Sequence, residues 1–408
     1  MNTASGVQGA AGRGVLAQLG SRMLLAILAA AAVAGVLIEL SRHQLMIFEA
    51  PDRIAYDWRH ALLSRQEPTT RTDIALILIT DKSLAGYSYQ LPIDRGLVAN
   101  VVRALDAAGA KVVGLDLLLD RPTDKDGQLI EAIRAAKTPV VLGAVDTRSP
   151  SLETQNLTFE RGLFTRAGNP AVGHLYFQAP KRGLAQPDQV IRFLPQRSSR
   201  AGEIQPSFAE ALVRAAGRLV PDIGEHISWL QSRAADGAET FEVFEVPSHP
   251  PEAATPDVVV RSEWRTRLKD KIVIIGGALE DRDRHLTPMS VADGARMHGP
   301  RIQAQIAAQL IDGRSLRGLS MIQELVLVFA LALIGFVGGR VFRLSRYQPL
   351  VYVAAFLLLV LAGGWLFAAR GLILPSDTVF YSILVGIWVG HISVRWLPRL
   401  KAKGREAN

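Results

Sequence analysis

Acidic, hydroxyl and glycine residues recur where strand-like apolar runs of this sequence end, at a spacing that suits ligand binding. The residues are Asp81 and Ser83 after "DIALILIT" (73–80), Asp116 and Asp120 within "VVGLDLLLD" (112–120), and Gly276 and Gly277 in "DKIVIIGGAL" (270–279). Open parallel sheets bind ligands beyond the carboxyl ends of their strands. These residues therefore form a predicted ligand site. The alternative is that the acids cap turns and the glycines permit tight packing.

A cation, Arg95, stands at the predicted start of a helix, where the helix dipole disfavours positive charge. We therefore expect a carboxylate partner. Asp116 or Asp81 would satisfy the guanidinium with a bidentate pair. Arg95 is accordingly included among the predicted ligand-site residues, although we favour the structural ion pair.

A further polar group, "EDRDRHLTP" (280–288), places His285 among carboxylates after the Gly-Gly pair. His285 is also a predicted ligand-site residue. A hydrolase using Asp116, Asp120 and His285 is the weakest alternative. No two of the eight histidines have a helical metal-ligand spacing, and neither GxGxxG nor GxxxxGK[ST] occurs. We therefore expect no metal, no cofactor and no catalytic residue, and thus no enzyme.

The elements that must position these residues alternate between strand and helix. Strands are predicted over 73–80, 112–120, 138–145 and 270–279, and helices over 94–110, 126–137, 207–219 and 295–313. Continuous apolar strands alternating with helices indicate an α/β domain with a mostly parallel sheet covered by helices. Residues 173–179 and 189–196 are candidates for antiparallel strands, and 232–257 is predicted to be a surface excursion.

Four long apolar runs predict transmembrane helices, since about 20 apolar residues cross a bilayer. The predicted organisation is a cytoplasmic N-terminus (1–22), helix 1 (23–40), a periplasmic domain (41–320), helices 2 (321–341), 3 (349–369) and 4 (375–396), and a basic cytoplasmic tail (397–408). The first run also has features of a cleavable signal peptide. Cleavage would leave the same orientation for the large domain.

The distribution of charge sets this orientation. Residues 42–319 hold 35 Lys and Arg against 34 Asp and Glu, whereas the rest of the chain holds 11 against 4. The excess of positive charge therefore lies beside the apolar runs. There it indicates cytoplasmic loops and contact with a lipid bilayer. It does not indicate nucleic-acid binding. The absence of cysteine is compatible with a bacterial periplasm.

Several stretches together resemble the CHASE type 2 family of extracellular sensory domains. They are "AYDWRHALLSRQEP" (55–68), "LITDKSL" (78–84), "AAGAKVVGLDLLLDRP" (107–122), "DKIVIIGG" with "DRHLTP", and "GPRIQAQIAAQLIDG" (299–313). The three apolar runs that follow are similar to the family's usual three membrane helices. The chain departs from the family in "QLPIDRG" (90–96) and at Gln303, where histidine is frequent, so the resemblance does not extend to a ligand carried by those positions.

The resemblance implies a bacterial inner-membrane sensor whose periplasmic domain binds a signal or partner. Only twelve residues follow Trp396, so we expect the relay to reach a separate protein in the membrane or cytoplasm. A homodimer is a further expectation. The alternative is a non-catalytic structural or assembly subunit of a cell-envelope complex.

Overall fold

The structure is a computed structural model that describes residues 28–33, 35–37, 46–146, 154–177, 188–200, 203–341 and 347–406. The chain divides into two compact units. One comprises residues 57–180 and 187–317, and the other comprises residues 1–56, 181–186 and 318–408. The predicted N-terminal segment 1–22 lies outside the described residues, as do parts of 23–40 and 397–408.

A six-stranded, fully parallel sheet organises the first unit, as the apolar strand pattern predicts. Its strands are β1 (Arg71–Thr80), β2 (Val112–Asp116), β3 (Val140–Ala144), β4 (Ala171–His174), β5 (Phe241–Glu245) and β6 (Ile272–Ala278). Their spatial order is β4-β3-β2-β6-β1-β5. The last of these six strands along the chain therefore lies between the first two.

Helices connect the strands and continue beyond the sheet. They are α1 (Met46–Leu63), α2 (Arg95–Ala108), α3 (Asp126–Ala135), α4 (Thr154–Arg166), α5 (Phe208–Ala215), α6 (Pro256–Val259), α7 (Ser262–Leu268), α8 (Ser290–Asp293), α9 (Gly299–Asp312), α10 (Met321–Val341), α11 (Gln348–Arg370) and α12 (Ser376–Glu406). Residues 28–33 and 35–37 are also helical.

Both faces of the sheet are buried, which explains why its strands are apolar at successive positions. In β1, Ala75, Ile77 and Ile79 pack in one core with α2, α3, α4, α6 and α7. The alternate residues, Leu76 and Leu78 among them, pack in a second core with α5 and α9. Side chains alternate across a strand, so a run of consecutive apolar residues supplies both cores.

The connections after β1 and β6 leave toward opposite faces. α2 follows β1 and packs in the first core, as does α3 after β2, whereas α9 follows β6 and packs in the second. β6 lies between β1 and β2, so the direction of the connections switches at the centre of the sheet. This is the place where open α/β sheets form a crevice at their carboxyl edge.

Several predicted elements differ from those observed. The strand predicted over 112–120 ends at Asp116. Ala171–His174 joins the sheet parallel to β3, so the antiparallel arrangement expected for 173–179 is wrong. Residues 189–196 form only isolated bridges. The predicted surface excursion contains β5, an edge strand of the sheet.

Among the described residues of the second unit, two helices are long and apolar enough to cross a membrane by length and composition. They are Met321–Val341 and Tyr352–Arg370. These coincide with two of the four predicted spans, and the other two spans stay predictions. The span predicted over 375–396 lies within the 31-residue α12 except for its first residue.

Four glycines bring α10 and α12 into backbone contact. A Cβ placed on Gly335 or Gly339 would lie 2.5 Å from Ile383 O or 2.3 Å from Ile387 O. Gly386 and Gly390 approach α10 in the same way, each 2.4 Å from a carbonyl oxygen. Each helix therefore presents two glycines four residues apart, the spacing that lets membrane helices pack closely.

Candidate functional site

The carboxyl ends of β2, β6 and β1 meet at the crevice. Asp116 is in register with Gly276, and Gly276 is in register with Leu78 on the other side. The segments after these strands begin at Leu117, Leu279 and Asp81. The structure thus places Asp81, Asp116 and the glycine pair at one edge of the sheet, as predicted.

Asp116 is a buried carboxyl group at the end of β2. Only 8% of the residue is exposed, and among the described residues no donor lies within hydrogen-bond distance of its Oδ2. Burial raises the pKa of Asp116 well above its usual value, and the negative charge of Asp283 raises it further. A neutral carboxylic acid is therefore favoured at this position.

Asp283 supplies a second carboxylate at the same edge. Its backbone has a left-handed φ of 50°, its carbonyl accepts from Gly299 N–H at 3.1 Å, and a Cβ on Gly299 would lie 2.2 Å from its Oδ2. His285 Nε2 lies 2.8 Å from Asp283 Oδ1. Asp283 is thus fixed against Gly299, the first residue of α9.

The two glycines of β6 have different surroundings. A Cβ on Gly276 would lie 2.2 Å from Pro300 Cγ, whereas a Cβ on Gly277 would meet only Ile93 Cδ1 at 3.4 Å. Gly276 therefore allows the start of α9 to approach the sheet beside Asp116. This supports the packing alternative for Gly276, and it brings the helix terminus to the crevice.

Asp81 and Ser83 have structural contacts in the loop after β1. Asp81 Oδ2 accepts from Glu280 N–H at 2.9 Å, which joins this loop to the one after β6. Ser83 is fully buried, donates to Val246 O at 2.6 Å and accepts from Thr80 N–H at 3.0 Å. Ligand binding by either residue stays a prediction.

A cavity of about 320 Å³ opens between the loops that Asp81 joins. It is lined by Asp81, Gln90, Leu91, Leu279, Asp281 and Arg282. Carboxylates, an amide and a guanidinium at its wall suit a small polar ligand better than an apolar one.

The partner of Arg95 is Asp126, so the prediction of Asp116 or Asp81 is wrong. Arg95 Nε lies 3.7 Å from Asp126 Oδ1, with only 1% of the Arg95 side chain exposed, and Arg95 Nη2 donates to Leu118 O at 3.1 Å. Burial lowers the pKa of Arg95, against the attraction of Asp126 and Asp120. The chain turns away after Asp116, which carries Asp126 to Arg95.

Sequence reasoning missed the role of two residues at this edge. Asp283 lies within "EDRDRHLTP" (280–288), but nothing in the stretch shows which of its carboxylates raises the pKa of Asp116. His298 is the residue before α9, and no partner for its Nδ1 lies among the described residues. Burial and the nearby cations Arg284 and Arg301 lower the pKa of His298, against Asp283 and Asp81. The sequence signal that could have located His298 was the pair Gly299-Pro300, because proline is common in the first turn of a helix and the pair therefore marks where α9 begins.

A second buried polar group lies at the ends of β3 and β4. His174 Nδ1 is 3.4 Å from Asp146 Oδ2 with both side chains fully buried, and Ser198 Oγ donates to Asp146 Oδ1 at 3.3 Å. His174 Nε2 lies 2.9 Å from Gln196 O. In a nucleophilic triad the serine hydroxyl would donate to the histidine. In the described contacts the serine hydroxyl donates to the aspartate. These contacts therefore suit a structural role, in which His174 and Asp146 hold residues 196–198 against the ends of β3 and β4.

Metal ligation finds no support in the part of the chain that the structure describes. No group of three or more His, Asp or Glu side chains there is arranged to hold a metal ion. His285, which the hydrolase alternative requires, pairs with Asp283.

A family model of the CHASE2 domain matches residues 26–338. The chain belongs to the CHASE2 family. CHASE2 domains are extracellular sensory domains, which confirms the resemblance found in the sequence and is consistent with a sensor-like role. A search of curated proteins and a search of solved structures gave no match. The CHASE2 match begins within the first predicted span and ends within α10, so it contains the whole parallel sheet and its carboxyl edge.

Proposed function

We propose that this protein is a non-enzymatic receptor of the bacterial inner membrane. Its periplasmic CHASE2 domain would bind a signal at the carboxyl edge of the sheet, and its membrane helices would pass the bound state to a cytoplasmic protein. One observation carries the proposal: the CHASE2 match ends inside α10, an apolar helix of membrane-spanning length that follows α9 after eight residues.

Helix packing supports a relay through several spans. The four glycines of α10 and α12 allow the two helices to move as one body, because their backbones touch over two successive turns. Arg340 Nη1 also donates to Ser393 Oγ at 3.1 Å. A four-span arrangement would place 1–22 and 397–408 on the cytoplasmic side, where their cations satisfy the positive-inside rule.

Orientation is tested by thiol labelling, for which a chain without cysteine is well suited. Leu219 is 93% exposed on the CHASE2 domain, so Leu219→Cys should react with a membrane-impermeant maleimide in intact spheroplasts. Lys403→Cys should react only after the membrane is permeabilised. Labelling of both sites in intact spheroplasts would contradict the orientation.

The relay is tested by purifying the full chain in mild detergent beside a variant that lacks residues 397–408. We expect a specific cytoplasmic protein to accompany the full chain and to be lost from the truncated one. A matched control replaces exposed Arg261 in the CHASE2 domain by Gln, which should leave co-purification unchanged. Full retention by the truncated chain would refute coupling through that end and favour the structural or assembly alternative.

A further inference from the structure

We propose that helix α1 lies along the surface of the membrane, with an apolar stripe of Ile54, Trp58 and Leu62 in the headgroup region of the lipid. The inference goes beyond the proposed receptor function, because it assigns to the CHASE2 domain a lipid-contact surface that signal binding does not use. It rests on the proposed function only in requiring that α10 to α12 cross the membrane, and the closing experiment tests the two points separately.

Three large apolar side chains of α1 are exposed on one side of the helix. Ile54, Trp58 and Leu62 are 59%, 46% and 68% exposed. They follow one another at intervals of four residues, so they form a row on the helix surface. A single exposed apolar residue needs no explanation, but a contiguous row over two turns of helix indicates a contact surface.

The other side of α1 is fixed within the CHASE2 domain. His60 is fully buried, and Arg192 donates to the two carboxylate oxygens of Asp57 from Nε and Nη2, both at 2.7 Å. The carbonyl of Ala61 accepts from Gln231 Nε2 at 3.2 Å. These contacts fix the rotation of α1 about its own axis, so the stripe is held facing away from the core of the domain.

The first half of α1 contacts the start of a helix in the membrane-spanning part of the chain. Asp52 Oδ1 accepts from Ser376 N–H at 2.5 Å, and Ser376 is the first residue of α12. Only residues 371–375 separate Ser376 from the candidate span Tyr352–Arg370. Asp52 therefore lies at the level where the membrane helices end, and Ile54 follows it after one turn residue.

The chemistry of the stripe fits a lipid surface better than a second copy of the chain. A stable protein–protein interface buries about 800 Å² on each partner, and three partly exposed side chains offer far less. Tryptophan is enriched at the level of lipid headgroups, and interfacial helices place cations beside an apolar face. Arg53 and Arg59, both partly exposed, flank the stripe on its two sides, where a guanidinium can bond a headgroup phosphate.

The length of the stripe requires α1 to lie along the membrane rather than to stand on it. At a rise of about 1.5 Å per residue, Leu62 is about 15 Å from Asp52 along the helix axis. A helix that left the membrane steeply would hold Leu62 in water, although Leu62 is as exposed as Ile54. An interfacial helix buries its apolar face by about 5–10 Å, so all three side chains reach the headgroups only if the axis runs nearly parallel to the surface.

The experiment places a nitroxide spin label on single cysteines of the full chain, which has none of its own, in nanodiscs of phosphatidylethanolamine and phosphatidylglycerol. Collisions of the label with oxygen report lipid, and collisions with a water-soluble nickel complex report water. Ile54→Cys and Leu62→Cys should both show an oxygen-to-nickel ratio several-fold above that of Leu219→Cys on the domain surface. Leu63→Cys is the matched control, because Leu63 is exposed but lies outside the stripe, and its ratio should be lower than that of Leu62→Cys.

Two results would overturn the proposal directly. A ratio at Leu62→Cys equal to that at Leu219→Cys would mean that α1 stands away from the membrane, whatever the ratio at Ile54→Cys. Dipolar broadening at Leu62→Cys that disappears when labelled chain is diluted with unlabelled chain would instead place a second copy on the stripe.

A second substitution tests the stripe itself. Trp58→Glu should lower the ratio at Leu62→Cys several-fold, because a carboxylate is costly to move into an apolar phase, whereas Trp58→Leu should retain it. An unchanged ratio after Trp58→Glu would contradict lipid contact through this row. Leu358→Cys, at a residue that is 66% exposed on α11, tests the membrane helices. A water-like ratio there would refute the proposed membrane arrangement, whereas a lipid-like ratio there with a water-like ratio at Leu62→Cys would refute the stripe alone.

Discussion

Gly276 of β6 lies directly against Pro300 of α9, and a Cβ there would come within 2.2 Å of the proline ring. The ring is rigid, so Gly276→Ala should push the start of α9 off the sheet. We expect the free energy of unfolding to fall by about 1–3 kcal/mol, as in other overpacked sites. Denaturant unfolding of the full chain in detergent measures this.

The adjacent glycine provides the control. Gly277→Ala adds the same methyl group at an ordinary 3.4 Å from Ile93 Cδ1, so it should change stability by less than about 0.5 kcal/mol. Equal effects of the two substitutions would show that the contact with Pro300 is not what requires glycine.

The buried pair of Arg95 and Asp126 is expected to show strong coupling. Asp126→Asn removes the charge but keeps an acceptor for Thr123 N–H, which now donates to Asp126 Oδ2 at 2.9 Å. The loss should be about 3 kcal/mol, because Arg95 remains buried with a charge that is incompletely compensated.

A double-mutant cycle tests this coupling. Arg95→Met in the Asp126→Asn background should recover part of the loss, since an apolar side chain can replace a buried ion pair with little cost. Additive effects of Arg95→Met and Asp126→Asn would contradict the coupling. Additivity would indicate that the charge of Arg95 is compensated by its other acidic neighbours, Asp94 and Asp120.

Sequence patterns predicted the central strands because these carry the clearest physical signal. β1, β2, β3 and β6 are buried on both faces, so their apolar runs are continuous. β5 was missed because "FEVFE" mixes charges with aromatic residues, as edge strands do. Glu242 bonds to Lys271 at 2.6 Å there, a contact that only the fold reveals.

The edge of the candidate site was predictable, but its pairings were not. Asp81, Asp116 and Gly276 follow from the rule that ligands bind at carboxyl ends. The position of Asp283 at the edge that also holds Asp116 depends on β6 lying between β1 and β2, and no periodicity encodes strand order. Similarly, Asp126 reaches Arg95 only because the chain turns after β2.

Gly339 is predicted to be required for the packing of α10 on α12. Gly339→Ala would place a Cβ 2.3 Å from Ile387 O, whereas the same change at Gly338 meets only Tyr352 Cε1 at 3.9 Å. Alanine is otherwise favoured over glycine in helices by about 1 kcal/mol. Thermal unfolding in detergent should therefore show a lower midpoint for Gly339→Ala and an unchanged or higher one for Gly338→Ala. Matching midpoints would rule out the close glycine contact.

His226 is predicted to make the folded protein sensitive to acid. Burial lowers the pKa of His226 to about 4, from 6.5 in the unfolded chain, and its ring packs against Phe193 at 4.7 Å. The unfolded state then binds the proton more tightly, so this contribution to stability is complete above about pH 6.5 and is lost as the pH falls toward 4.

The loss reaches at most about 3 kcal/mol, since each pKa unit corresponds to about 1.4 kcal/mol. His226→Gln removes the titration, so the difference in unfolding free energy between the variant and the unmodified chain should be constant above about pH 7 and shift in favour of the variant below it. The constant difference at high pH measures the altered packing on Phe193 and serves as the internal control. A difference that does not change with pH would mean that His226 takes up its proton equally in the folded and unfolded states. Asp116 acts with the opposite sign, because its raised pKa removes stability as the pH rises.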